Sequence, residues 1–246
     1  MIEIIDIHKS FKTQKVLNGV NLLVEKGAIT VIIGGSGSGK TVFLRHLIGL
    51  VKPDQGKILI NDNDITSLDD RELNKVRERF GMVFQNAALF DSMTVEDNVG
   101  FYLNEHTNLE KESIRDRVSL SLKQVGLDNT QKKYPSQLSG GMKKRVGIAR
   151  ALIMKPDIIL YDEPTTGLDP ITTDVIDNLI LKTTNDIGAT AVVVSHGINE
   201  IFKIADKIAM LYKGQIIAEG NPDQIRASDN QILQQFITGR AEGPVS

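Results

Sequence analysis

The stretch Gly34-Gly35-Ser36-Gly37-Ser38-Gly39-Lys40-Thr41 decides how the rest of this chain is read. It fits the P-loop pattern: a glycine, four free positions, then Gly-Lys-Thr. Each residue type has a physical task. The glycines let the backbone curl until successive N–H groups point at phosphate oxygens. Lys40 brings a compact positive charge to the β and γ phosphates, and the hydroxyl of Thr41 is a magnesium ligand. The flanks agree. The apolar run Ile29 to Ile33 enters the loop as a short strand, and Val42, Phe43, Leu44, Leu47, Ile48 and Leu50 leave it as a helix apolar on most sides. A helix starting there turns its positive end toward a nucleotide. The bland reading is a glycine-rich turn, which the specificity of the motif and its flanks disfavour.

A second motif follows at Ile158-Ile159-Leu160-Tyr161-Asp162-Glu163. An apolar strand ending in acids delivers carboxylates to the sheet edge where a P-loop also lies. Asp162 is then the magnesium-holding acid, and Glu163 the general base that polarises the attacking water. A third is Leu138-Ser139-Gly140-Gly141-Met142. Ser139 can cap a helix whose apolar face is Val146, Ala149, Leu152 and Ile153, and Gly140 and Gly141 leave its N-terminus open to an anion. Read locally, this is only a capped helix.

The remaining pattern places these motifs on an α/β frame. Residues 1 to 33 read as β-rich, with apolar runs at Ile2 to Ile7, Val20 to Val24 and Ile29 to Ile33 and turns at Asn18-Gly19 and Lys26-Gly27. Lys57 to Ile60 is a strand before the turn Asn61 to Asp64. From Asp69 to Arg150 the chain reads as mostly helical, with a stripe at Ile114, Val118, Leu122 and Val125. Alternation returns after Pro156: strands at Ile158 to Tyr161 and Ala191 to Val194, helices at Thr172 to Thr183 and Asn199 to Ala205, and a hairpin around Lys213-Gly214. The expected organisation is a single domain over 1–246: a core of 1–85 and 156–222, a helical subdomain at about 86–155 and a C-terminal extension from about 223.

Composition removes other classes. The 246 residues are 41% hydrophobic and 24% charged, which is ordinary globular usage, and the formal net charge is −2. No basic excess points to nucleic acid as a partner. With no cysteine, disulfides and thiolate metal sites are excluded. The start Met1-Ile2-Glu3-Ile4 lacks the features of a signal peptide, and apolar runs such as Val31 to Ile33 fall far short of the roughly 20 residues of a membrane span. Any service to a membrane is expected to pass through a partner.

On these motifs the chain resembles ATP-binding subunits of ABC transporters over essentially its whole length. The P-loop, Leu138-Ser139-Gly140-Gly141 and Leu160-Tyr161-Asp162-Glu163-Pro164 stand in the family's order and spacing. The resemblance implies an α/β P-loop NTPase fold of the ABC type, with an N-terminal antiparallel β subdomain and an inserted helical subdomain. It implies an ATPase using ATP and Mg2+. Gln85 then corresponds to the Q-loop glutamine that senses magnesium and faces the membrane partner. His196 corresponds to the switch histidine at the γ-phosphate, and Gly167-Leu168-Asp169 to the D-loop across the dimer interface. Phe11 stands where the family stacks an aromatic on adenine; the usual residue is Tyr, and Phe keeps the stacking face. The family's site is shared: ATP on Gly34 to Thr41 of one copy is covered by Ser139, Gly140 and Gly141 of the other in a head-to-tail homodimer. Two departures stand out: Met142 replaces the usual signature Gln, and Gly197 follows His196 where Asp is common. Taken singly, Gln85 and His196 read as structural polar groups, Phe11 as core and Asp169 as a helix cap.

Within that family, Ser139 to Val146, Leu160 to Pro170, Lys40-Thr41-Val42 and Phe90 to Val95 resemble the ATPase of bacterial MCE-type (Mla-type) phospholipid transport systems. The tail Gln235 to Arg240 with Gly243-Pro244 is similar to that branch's C-terminal extension, which reaches toward the partner subunit. This resemblance implies a permease dimer, a periplasmic MCE lipid-binding protein, a small STAS-domain subunit and a place on the cytoplasmic face of the inner membrane. Tyr134-Pro135-Ser136-Gln137 resembles importer-type subunits more generally, so an ATPase of a polar amino-acid importer stays open. So do a soluble ABC ATPase that serves no transporter and a nucleotide-binding regulator that does not hydrolyse ATP.

Overall fold

The computed structural model describes residues 1–244, without the side chains of Asn199 and Glu200; Val245 and Ser246, at the end of the expected extension, lie outside the described residues. The chain forms two compact units, Met1–Glu78 with Thr190–Ser246, and Arg79–Ala189.

The first unit opens with strands β1 (Ile2–Phe11) and β2 (Gln14–Val24), paired antiparallel from Ile2 opposite Val24 to Phe11 opposite Gln14. Ile2, Ile4 and Ile7 of one strand and Val20, Leu22 and Val24 of the other are buried, which fixes the register. The expected turn at Asn18-Gly19 is overturned. The chain reverses at Lys12-Thr13, and Gly19 is the extra residue of a bulge, since Val20 faces Ile7 while Asn18 faces His8. A bulge needs the same positive φ, 79° at Gly19, that a turn would. The glycine signal is therefore the same for both. Strand β3 (Ile29–Ile33) is buried throughout and delivers the chain into the glycine loop and helix α1 (Lys40–Leu47). Strand β4 (Gln55–Ile60) pairs antiparallel with β1, and the short β5 (Asn63–Asp64) with β4. Helix α2 (Asp70–Arg77) starts in a capping box in which Asp69 and Glu72 bond each other's backbone N–H. Arg77 at its end donates to the carbonyls of Ile48 and Gly49 just beyond α1.

The second unit opens with strand β6 (Phe80–Val83), inside the stretch read as mostly helical. Four residues carry too few alternations to show a period of two. Helix α3 (Val95–His106) is capped by Thr94, whose side chain accepts from Asp97 N–H. Helix α4 (Lys111–Gln124) carries the expected stripe, with Ile114, Val118 and Leu122 buried along it. Helix α5 (Gly140–Leu152) begins at Ser139, as its cap chemistry requires. Strand β7 (Ile158–Asp162) is buried along its length and runs parallel to β6. Helix α6 (Pro170–Ile187) exceeds the expected Thr172 to Thr183, because Asp169 caps it earlier and Gly188 stops it later.

The chain then rejoins the first unit. Strand β8 (Thr190–Val194) pairs parallel with β3, helix α7 spans Ile198–Ile204, and β9 (Lys207–Tyr212) pairs parallel with the other side of β3. Strand β10 (Gln215–Gly220) closes a hairpin on β9. Helices α8 (Pro222–Arg226) and α9 (Gln231–Thr238) make up the C-terminal extension. Within this unit the mainly parallel sheet reads β10-β9-β3-β8, with Phe43, Leu44 and Leu47 of α1 in its core.

Candidate active site

The P-loop stands at the C-terminal end of β3, the middle strand of its unit's parallel sheet. Gly34 is buried against the backbone of β9: a Cβ there would lie 2.3 Å from Leu211 O and 2.8 Å from Ser38 Oγ. Gly35 and Gly37 instead face open space. Gly39 is the N-cap of α1 and makes no side-chain cap, so the first N–H groups of the helix are open to an anion. The Ser38 hydroxyl is buried and, among the described residues, finds no hydrogen-bond partner. Lys40 is buried, its ammonium donating to Gly34 O at 2.8 Å and Gly35 O at 2.9 Å. An uncapped helix end, an orphaned hydroxyl and a lysine strapped across the loop fit a bound polyphosphate.

Two other expected residues belong to this unit. Phe11, at the end of β1, is 45% exposed, so it is not a core residue. Its ring lies 5.6 Å from the Lys9 ammonium and presents an open aromatic face. His196 follows the end of β8, where Ser195 is buried with its hydroxyl accepting from Gly197 N–H at 3.0 Å, while His196 is exposed.

In the second unit, β6 and β7 bring Gln85 to Glu163. Gln85 Nε2 donates to Glu163 Oε2 at 3.0 Å, and the Thr166 hydroxyl donates to the same oxygen at 3.0 Å. Lys144 Nζ, from a buried position on α5, donates to the Glu163 carbonyl at 3.3 Å. Glu163 holds a φ of 47°, an unusual backbone conformation for a side chain of this type. Asp162 is buried at the end of β7. Of the donors expected for magnesium, Asp162 and Gln85 belong to this unit, a carboxylate and an amide, and Thr41, a hydroxyl, to the first; each offers oxygen, the donor type that a hard cation takes.

Ser139, Gly140, Gly141 and Asp169 form one neighbourhood at the starts of α5 and α6. Ser139 Oγ accepts from Met142 N–H at 3.3 Å, so position 142 contributes to the cap through its backbone. A Cβ at Gly141 would lie 2.5 Å from the Thr172 methyl, so the glycine permits close packing of the two helix ends. The Thr172 hydroxyl donates to Asp169, which also accepts from the backbone N–H groups of Ile171 and Thr172. These bonds, the Thr172 hydroxyl first, hold the Asp169 carboxyl below its ordinary pKa. The cap reading of Asp169 is thus fulfilled, and its side chain remains at the surface.

Several supporting residues escape the sequence reading. Thr166 and Lys144 hold Glu163 from inside the same unit. Arg150 of α5 donates to the carbonyls of Ala87 and Ala88, both at 2.7 Å, pinning the loop that follows Gln85. Asn98, fully buried on α3, bonds both backbone groups of Phe90 and the carbonyls of Met93 and Thr94. No local sequence signal marks any of these residues, because each acts on a group that only the fold brings to it.

A P-loop on a mainly parallel sheet, an acid pair ending a buried strand and a glutamine bonded to that acid define an ATP-hydrolysing cassette. The family described as ABC transporter matches residues 17–166, and the chain belongs to it: it is an ATP-binding, ATP-hydrolysing domain of the ABC class. The chain is 43% identical over 230 residues to the intermembrane phospholipid transport system ATP-binding protein MlaF of Haemophilus influenzae, covering 94% of this chain and 87% of that protein. It is 41% identical over 244 residues to the probable ribonucleotide transport ATP-binding protein mkl of Mycobacterium leprae, covering 99% of this chain and 70% of that one. Among solved structures, the dimeric ATP-binding cassette MJ0796, bound to ADP and Pi in a post-hydrolysis state, matches with a TM-score of 0.84 at 35% identity, covering 90% of this chain and 99% of that chain. No helix among the described residues is long and apolar enough to cross a membrane.

Proposed function

We propose that this ATPase powers phospholipid transport across a bacterial envelope in an MCE-type system. The observation that carries the reading is the 43% identity, over nearly the whole chain, to a protein named for intermembrane phospholipid transport. In this reading the chain is one nucleotide-binding domain, with a helical subdomain at about 86–155 and a C-terminal extension. It acts as a homodimer at the cytoplasmic face of the inner membrane, attached through a permease dimer, together with a periplasmic MCE lipid-binding protein and a small STAS-domain subunit.

The site roles follow the chemistry of each group. Gly34 to Thr41 hold the phosphates, and Phe11 stacks on the adenine. Thr41, Asp162 and Gln85 hold Mg2+, which when bound neutralises charge on the phosphates. Glu163 takes the proton of the attacking water, and His196 contacts the γ-phosphate. Ser139, Gly140 and Gly141 of the second copy offer helix N–H groups to the far side of the same phosphates, with Asp169 at the interface. One P-loop leaves that far side uncompensated, which is the physical reason for a dimer. Removing the terminal phosphate removes the charge that joins the copies.

The test is purification of the tagged protein from gently solubilised membranes, mass spectrometry of what accompanies it, and reconstitution of that complex in liposomes. The expected result is a permease with an MCE protein, and ATP-dependent movement of a fluorescent phospholipid that Glu163→Gln abolishes. Recovery with a permease for a polar solute, or ATP turnover stimulated by ribonucleotides and not by lipid, would overturn the cargo.

A further inference from the structure

The C-terminal extension comes back to the P-loop of its own unit. A cavity of about 580 Å3 is lined by Gly35 to Ser38 of the loop, by Phe236 and Arg240 of the extension, and by Tyr212 at the end of β9 with Lys213 after it. That volume is in the range of small-ligand sites. Two cations and no described carboxylate line it.

The turn that presents Arg240 is built by its own bonds. Helix α9 ends at Gly239, whose N–H donates to Phe236 O at 3.2 Å while Arg240 N–H donates to Gln235 O at 3.3 Å. The side-chain amide of Gln235, itself 9% exposed, donates to Arg240 O at 3.3 Å. The helix is anchored behind by Gln234, which donates to Ser228 O at 2.7 Å, and by Asn230, which donates to Ile217 O of β10 at 3.3 Å. Arg240 is therefore held at its backbone, while its side chain is exposed and, among the described residues, makes no ion pair. A guanidinium presents five donors in a planar fork that matches phosphate oxygens.

We propose that Arg240 is a nucleotide-binding residue, and that the C-terminal turn completes the phosphate site of its own chain by bringing a second cation beside the loop that carries Lys40. The inference rests on Gly34 to Thr41 being the ATP loop. Its ligand chemistry is the polyphosphate, and the loss of a cation weighs more on ATP than on ADP because ATP carries one more negative charge.

The test is titration of the full-length chain with a fluorescent ATP analogue and the matching ADP analogue, at dilutions where light scattering shows a monomer, for wild type, Arg240→Ala, Arg240→Lys and Lys40→Ala. Arg240→Ala weakens ATP binding by about 5- to 10-fold and ADP binding by less, Arg240→Lys is intermediate, and the difference from wild type shrinks as salt is raised. Unchanged ATP affinity in Arg240→Ala overturns the proposal, including the case in which that variant weakens only dimer formation. An unchanged affinity in Lys40→Ala would instead reject the P-loop as the ATP site, which separates the two failures.

Discussion

Gln85 and Glu163 are joined by one hydrogen bond, Nε2 donating to Oε2 at 3.0 Å, across the parallel pair β6 and β7. Each residue follows the C-terminal end of its strand, and the Thr166 hydroxyl occupies the same carboxylate oxygen. Removing the charge while keeping the shape tests the assigned role. Glu163→Gln is expected to bind ATP within a few-fold of wild type and to lose about 10²- to 10⁴-fold in turnover. At saturating Mg-ATP it should elute as a dimer by size exclusion with light scattering. Unchanged turnover would reject the general base, and a monomer at saturation would reject the ATP-joined dimer.

Adjacent glycines of the loop should behave differently. A Cβ at Gly34 meets the Leu211 carbonyl at 2.3 Å, whereas at Gly35 nothing lies within 4 Å. Gly34→Ala is therefore expected to destabilise the fold by about 1–3 kcal/mol, as overpacking does, and Gly35→Ala by no more than about 0.5 kcal/mol. Chemical denaturation of the two variants checks this; equal midpoints would contradict the packing of the loop on β9.

His46 gives the fold a pH dependence. It is buried on α1, with Nδ1 donating to Val42 O at 2.7 Å and Nε2 without a partner among the described residues. Burial, the largest effect, lowers its pKa from the ordinary 6.5, with the Val42 bond opposing. The folded chain thus binds fewer protons than the unfolded one below pH 6.5. The stabilisation is complete above that value and declines as pH falls toward the folded pKa, with a slope of at most about 1.4 kcal/mol per pH unit. Melting curves between pH 7.5 and 5.5 should fall more steeply for wild type than for His46→Leu. Parallel curves would show that another group carries the dependence.

Arg150 holds the loop after Gln85 through two carbonyls, Ala87 and Ala88, whose residues have φ values of 59° and 47°. Lysine cannot make that fork. Arg150→Lys should lower the opening free energy of this loop by about 1–3 kcal/mol, read as faster amide hydrogen exchange over residues 85–91. Exchange equal to wild type would mean that the clasp of Asn98 on Phe90 holds the loop alone.

The motifs that could be read from the chain were those whose cause is local. Ser139 before Gly140 and Asp169 before Pro170 each mark a helix start through cap chemistry within a few residues, and Gly39 before Lys40 marks one with no side-chain cap. The buried strands Ile29–Ile33 and Ile158–Asp162 announce themselves by short, mostly apolar runs, with only Thr30 and Asp162 polar. Phe80–Val83 did not, because four residues show no period until β7 pairs with them. At Asn18-Gly19 the local signal was present but ambiguous, since a bulge and a turn ask the same φ of glycine.

What the sequence determined by itself is the chemistry: a phosphate loop with its lysine and hydroxyl, an acid pair ending a strand, and a capped glycine pair at a helix start. These follow from residue types within eight positions of one another. What the tertiary structure alone decided is which side chains hold them. Thr166 and Gln85 share one Glu163 oxygen, Lys144 reaches the carbonyl of Glu163, Arg150 closes on Ala87 and Ala88, and the turn at Arg240 comes to rest beside Gly35 to Ser38. Most of these link residues far apart in the chain, and the groups they satisfy are backbone carbonyls and carboxylate oxygens. Every residue carries such a carbonyl, so no residue type marks in advance which one a distant side chain will meet.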